Sequence, residues 1–221
     1  MHSPTASETR KILETNKIFL EDGQWSLLEK WVELLLETNQ KLNLISRKDI
    51  GQIWGKHILH SLAILATERF EDNSEICDIG TGGGFPGIPL AIVYPGMKFT
   101  LMDSTQKKIK ALQEMISVLG LHNVQAVAGR AEELGRSQRY RFRFSILIAR
   151  AVAPLKTLEK WTRQLRSPQA VMYAYKGGDL AREVREASEC SLIRRIDRTV
   201  LTIEGAPQFE ENQKQIVCLH F

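Results

Sequence analysis

The sequence predicts an α/β fold: a doubly wound, mainly parallel sheet with an antiparallel C-terminal strand and an N-terminal helical cap. Three observations carry this. An apolar run, ICDI at 76–79, breaks into a glycine-rich turn and then an apolar segment that can open a helix. After it, short β-type runs alternate with helical patterns of about a dozen residues, the signature of parallel strands joined by crossover helices. Before it, about 70 residues read as helix with no strand pattern. Residues 1–70 are therefore expected to form the cap and 71–221 the sheet domain, with the boundary near Glu71-Asp72-Asn73-Ser74.

In the cap, SETRKILETNKIFL reads as a helix, Asp22-Gly23 as a turn, and QWSLLEKWVELLLETN as a second helix. Trp25, Leu28, Trp31, Val32, Leu35 and Leu36 recur at three- and four-residue spacing on one face, which marks both tryptophans as core. A polar bend then leads to a third helix with Trp54, Ile58, Leu59, Leu62 and Leu65. After the glycine turn, IPLAIVYP is a helix stopped at Pro95-Gly96 and KFTLMD the second strand. STQKKIKALQEMISVLG is a helix capped near Ser104 or Thr105 and ended by Gly120. NVQAVAG and RFSILIAR are the third and fourth strands, and APLKTLEKWTRQL is a helix with Pro154 in its first turn. QAVMYAYKGG is the fifth strand and DLAREVREASEC a helix, while RRIDRTVLTIE and KQIVCLHF pair as an antiparallel hairpin.

The glycine turn is read as a cofactor site. Gly80, Gly82, Gly83 and Gly84 crowd the turn, where the backbone needs positive φ or close approach to a ligand, and a helix N-terminus with unpaired N–H groups follows. Gly82-x-Gly84-x-x-Gly87, with Asp103 closing the second strand, matches the dinucleotide fingerprint. Asp78, two residues before the first glycine, would repel a pyrophosphate. A cationic nucleoside such as S-adenosylmethionine tolerates that acid, so a methyl donor is favoured over a nicotinamide dinucleotide.

Ligands in such sheets bind at the carboxyl ends of the strands. Those ends carry Asp78 and Gly80, Asp103, Gly129-Arg130-Ala131-Glu132, Ala149-Arg150-Ala151, and Lys176-Gly177-Gly178. Asp103 is placed to accept both ribose hydroxyls of an adenosine, and Ala131-Glu132 to border its adenine.

Composition narrows the class. With 43% hydrophobic and 25% charged residues, the chain is an ordinary soluble globular protein. No apolar run approaches the ~20 residues of a membrane span, and MHSPTASETRK lacks the apolar core of a signal peptide. Cys77, Cys190 and Cys218 are odd in number and far apart, which fits reduced packing residues in the cytoplasm. His57 and His60 share a helix face without a third ligand nearby, so no metal is expected and His57 is read as a polar rim toward substrate. Net charge is +4, but residues 129–166 hold ten basic and three acidic groups, net +7. Beside a cofactor site this suggests a polyanionic partner.

With these residues in hand, the chain resembles the bacterial 16S ribosomal RNA guanine-N7 methyltransferases (RsmG/GidB). The matching motifs are KLNLIS, KHILHSL, DIGTGGGFPGIPLAI, LMDSTQKKIKAL, GRAEE, IARAVAPL and YKGG, which run in order across most of residues 40–180. The resemblance implies a class I methyltransferase (Rossmann-like) fold, S-adenosylmethionine as donor, and as acceptor a guanine in a loop of 16S ribosomal RNA, in the decoding region of the small subunit. It implies cofactor contacts at Gly80 and Phe85, a ribose-binding acid at Asp103 with Ser104 and Thr105 beside it, an adenine-side turn at Ala131-Glu132, and a closing arginine at Arg150. Asp78, Gly82 and Gly84 join this set as members of the glycine turn. The chain departs from the family pattern at His60, where many members are acidic, and at Ser145, where aspartate is frequent.

Guanine N7 offers an in-plane lone pair and loses no proton, so no general base is required. Arg150 and Lys176 are the candidates for orienting the substrate, and Arg130, Arg139, Arg141, Arg150, Lys176 and His57 the expected border of the RNA path. A cytoplasmic monomer is expected. Two other readings are an RNA-binding protein with a non-catalytic cofactor pocket and an NAD-dependent oxidoreductase.

Overall fold

The computed structural model describes residues 3–71 and 73–221. Asp72, within the expected boundary, lies outside the described residues. Seven strands form one sheet in the order β3-β2-β1-β4-β5-β7-β6. They are β1 (Glu75–Ile79), β2 (Lys98–Asp103), β3 (Val124–Ala128), β4 (Phe144–Arg150), β5 (Arg166–Lys176), β6 (Arg195–Val200) and β7 (Gln215–His220). The first five run parallel, and β7 inserts antiparallel between β5 and β6. The strand order reverses between β1 and β4, and that switch point opens a crevice outside their carboxyl ends.

Both faces are covered, as a near-continuous apolar strand requires. In β1, Ile76 faces one core and Cys77 and Ile79 the other. In β4, Ile146 and Ile148 alternate in the same way with Leu147 and Ala149. The first core takes α1 (Ala6–Thr15), α2 (Asp22–Asn39), α4 (Gly87–Val93) and α5 (Gln106–Leu119). The second takes α6 (Ala131–Leu134), α7 (Leu155–Thr162) and α8 (Ala181–Ser188). Between α2 and β1 the chain is irregular: a 3-10 turn at Arg47–Gln52, a π-helical turn at Trp54–Leu59, and the short α3 (His60–Leu62). A short α9 (Gln208–Glu211) precedes β7.

The N-terminal residues share the first core with the sheet. Trp31, fully buried, packs 4.7 Å from the Phe85 ring of the glycine turn. Asn39, at the end of α2, accepts the backbone N–H groups of Leu44 (2.7 Å) and Ile45 (2.9 Å) through Oδ1. That fold-back presses the KLNLIS segment onto the glycine turn.

Two local expectations are corrected. The reversal between the first two helices is at Asn16-Lys17, where Lys17 adopts φ 61, and Asp22-Gly23 instead begin α2. Asn16 stabilises the turn by exchanging hydrogen bonds with the backbone of Glu204, a partner 188 positions away. Pro154 is extended at ψ 153 and precedes α7 as its N-cap rather than entering its first turn.

Candidate functional site

The glycine turn is braced from within. Asp78 is fully buried, and its Oδ2 accepts the Thr81 hydroxyl at 2.7 Å and the Gly87 N–H at 2.9 Å. Burial raises the Asp78 pKa to about 6, against those two hydrogen bonds. A Cβ at Gly87 would stand 2.2 Å from Leu101 Cδ2 and 2.7 Å from Asp78 Oδ2, so only glycine admits this contact. Two expectations change here. Asp78 shapes the turn from beneath instead of facing a ligand, and the N-terminus of α4 already receives a carboxylate. A pyrophosphate would find that end occupied.

On the open side lies a cleft of about 390 Å³ at the carboxyl ends of β1, β2 and β3. Gly80 forms its floor at φ 67, and a Cβ there would lie 2.8 Å from Val152. Asp103 closes one side. Its Oδ2 accepts Gly82 N–H at 3.0 Å and its Oδ1 accepts Thr105 N–H at 2.8 Å, so the carboxylate is fixed in position. Ser104 lines the cleft beside it; Thr105 is the N-cap of α5. Arg130, Ala131 and Glu132 supply the opposite wall, and Met102, Val152 and Trp161 the apolar surface. A fixed carboxylate beside apolar surface, with no cation bonded to it among the described residues, fits the ribose hydroxyls of a nucleoside that carries a sulfonium.

Gly84 and Phe85 lie outside this wall. Gly84 is buried against Ile88 and Leu112. The Phe85 ring is 3% exposed and sits between Trp31, His57 and Arg150. Arg150, expected both at the cofactor and as a substrate-orienting residue, is absent from the cleft lining and lines a second, larger cavity of about 770 Å³ that meets the cleft at Ala151. Its guanidinium stacks 5.0 Å from the Phe85 centroid and donates to His57 Nδ1 at 2.8 Å and to the Lys56 carbonyl at 3.2 Å. Burial lowers its pKa to about 10.

His57 therefore holds its proton on Nε2, 3.7 Å from Asp49 Oδ2. Burial and the Arg150 charge bring His57 to about 4, so the ring is neutral. His60, in the same wall, is pushed well below its ordinary value by burial. Both Nε2 atoms are buried without a hydrogen-bond partner. Lys176 also lines this cavity but is tied to Glu183 and to the Ala153 carbonyl (2.7 Å). Lys56 and Lys214 bring the remaining cations.

The basic segment does not form one surface. Arg139 bonds Gln125 near the start of β3, and Arg143 pairs with Glu75 at the start of β1. Arg141, stacked on Phe142, belongs to the same loop ahead of β4. All three sit at the amino ends of the strands, away from the cleft, so Arg139 and Arg141 do not border it. Arg163 and Arg166 are engaged by the buried Glu159. Arg130 alone of the segment's exposed cations stands at the rim. Sequence reasoning missed Asp49, Lys56, Lys214 and Trp161. The cavity residues among them come from the irregular cap and the C-terminal hairpin, and no local pattern joins the two.

Among the described residues no three His, Cys, Asp or Glu side chains converge as a metal would require. Nor is any of their helices long and apolar enough to cross a membrane.

Comparison with known proteins agrees with this geometry. A family model described as GidB, rRNA small subunit methyltransferase G, matches residues 24–214. The ribosomal RNA small subunit methyltransferase G of Chlorobium luteolum is 42% identical over 185 residues, covering 82% of this chain and 76% of that protein. The protein of the same name from Christiangramia forsetii is 39% identical over 209 residues, covering 90% and 92%. Among solved structures, an O-methyltransferase from Bacillus cereus in complex with SAH superposes with a TM-score of 0.56 at 15% identity, covering 98% of this chain and 100% of that one. At that identity the likeness concerns the fold.

Proposed function

The chain belongs to the rRNA small subunit methyltransferase G family, and from that premise we propose that it methylates guanine N7 in an unpaired stretch of 16S ribosomal RNA. It is an S-adenosylmethionine-dependent ribosomal RNA methyltransferase. Gly80, Asp103, Ser104, Ala131 and Glu132 would hold the cofactor, which supplies an electrophilic methyl group when bound. The observation that carries this reading is the Asp103 carboxylate, fixed by two backbone N–H groups in the wall of the cleft that Gly80, Ala131 and Glu132 also line. Asp78 supports it by neutralising the helix end that a dinucleotide would need.

The chain's own part is positioning. No proton leaves N7, and no nucleophile–base pair is needed. Holding two reactants aligned in a water-poor pocket lowers a barrier by up to about 7–11 kcal/mol. The acceptor purine gains positive charge as it is methylated, and neutral imidazoles at His57 and His60 add no like charge to that of Arg150, Lys56 and Lys214 in the same wall. N7 lies in the groove of A-form RNA that side chains cannot enter, so the target base must be unpaired or extruded. Arg130 and Lys214, with Lys56 beside its Asp49 partner, are the cations placed to meet its backbone.

The test is methyl transfer from isotopically labelled donor to small ribosomal subunits or their RNA, followed by nucleoside analysis. Label in 7-methylguanosine is expected. Label in another nucleoside, or none, refutes the reading.

A further inference from the structure

The larger cavity has a wall whose chemistry matches one nucleobase. Asp49, His57 and Arg150 follow one another along it, separated by 3.7 Å and 2.8 Å contacts through the imidazole. A carboxylate at one end accepts hydrogen bonds and a guanidinium at the other donates them. Guanine's Watson–Crick edge presents the complement: two donors, N1–H and the N2 amino group, then the O6 acceptor. Adenine would set its amino group against Arg150 and an unprotonated N1 against Asp49, like against like.

The geometry points to this cavity as the seat of the extruded guanine nucleotide, with Asp49 reading N1–H and N2–H₂ and Lys214 holding its phosphate. This assignment rests on the methyl-transfer reading above, and it adds a specificity-determining residue to it.

Three further observations support it. The cavity meets the cofactor cleft at Ala151, so its occupant lies beside the donor without sharing its slot. Its volume, about 770 Å³, is within the range of small-molecule sites. Lys214 is lowered by burial and by the charges of Arg150 and Lys56, a crowding of cations that a phosphate would relieve. Asp49 is held ionised by its 2.8 Å pair with Lys56. Because N7 methylation makes N1–H more acidic, a carboxylate there binds the methylated purine more strongly than the substrate, which favours the transition state.

The experiment titrates GMP, IMP and AMP into the chain saturated with S-adenosylhomocysteine, following the imidazole resonances of His57 and His60. IMP lacks only the N2 amino group. GMP should shift both resonances and bind at least about tenfold more tightly than IMP or AMP, the scale of one hydrogen bond to a charged group. Asp49→Asn should reduce GMP to the IMP level while leaving S-adenosylmethionine affinity within about twofold by calorimetry. Lys214→Ala should weaken GMP and leave guanosine unchanged. Equal binding of GMP and IMP to the wild-type chain overturns the assignment, and this arm needs no variant to fold. So does a GMP preference retained in Asp49→Asn, or GMP that perturbs Trp161 and neither histidine. A chain that methylates RNA without preferring GMP loses this inference alone. One that prefers GMP here but transfers no methyl group loses the earlier reading.

Discussion

Asp103 Oδ2 accepts the backbone N–H of Gly82 at 3.0 Å, fastening the turn after β1 to the end of β2 across 21 positions of sequence. With the Thr105 N–H on its other oxygen, the carboxylate is aimed before any ligand arrives. Preorganisation of this kind spares a binding site the cost of ordering it later.

Asp103→Ala should therefore weaken S-adenosylmethionine by roughly 10–100-fold, the worth of charge-assisted hydrogen bonds. RNA affinity should change little. Calorimetry with the donor and filter binding with RNA separate the two effects, and an unchanged donor affinity would count against the cleft.

Gly87→Ala forces a methyl group into Leu101 and the Asp78 carboxylate, whereas a Cβ at Gly96 meets nothing within 4 Å. Urea melts should show Gly87→Ala destabilised by about 1–3 kcal/mol or more. Gly96→Ala should lie within ±0.5 kcal/mol of wild type. Equal stability of the two variants would mean that α4 does not start against Asp78.

The pH dependence of stability has two opposed parts. The His57 folded-state pKa is about 4, so below pH 6.5 the unfolded chain takes up the proton first and stability falls as pH drops toward 4. Asp78, raised to about 6, is protonated first in the folded state, which adds stability as pH falls from 6 to about 3.8. His60, also held well below its ordinary value by burial, adds to the His57 part, so the wild type loses stability as pH falls below 6.5. His57→Gln removes the His57 share, so wild type minus variant should decline by up to about 1.4 kcal/mol per pH unit between pH 6.5 and 4. Denaturant midpoints at three pH values measure it; a flat difference would contradict a neutral, buried His57.

RNA affinity should fall steeply with salt through counterion release. Replacing Lys56 and Lys214 together by alanine should reduce the slope of log affinity against log salt by about 1–2. The pair Arg139→Ala and Arg141→Ala, at the opposite end of the sheet, should leave that slope unchanged. The reverse ranking would move the RNA path to the amino ends of the strands.

Much of this arrangement was legible in the chain itself. Strand-end positions follow from counting strands, so Gly80, Asp103, Ala131 and Glu132 could be assembled before any coordinates. The same count could have excluded Arg139 and Arg141, because residues ahead of a parallel strand sit at its amino end. Charge density along the sequence pointed instead to a patch that folding divides between the two ends. A strand-end acid such as Asp78 looks the same in sequence whether it points out to a cleft or in beneath the turn; its burial and its Thr81 and Gly87 contacts distinguish the two. The larger cavity was invisible for a deeper reason. Asp49 and Lys56 come from irregular helical turns, and Lys214 from the hairpin that inserts β7 beside β5, so their meeting depends on tertiary packing with no periodic signal.

The most direct measurement is a crystal structure of the chain with S-adenosylhomocysteine. The ribose hydroxyls should rest on Asp103 with the adenine against Ala131 and Glu132. A nucleoside bound elsewhere, or a Gly80–Asp103 cleft filled by the chain's own side chains, would contradict the assignment.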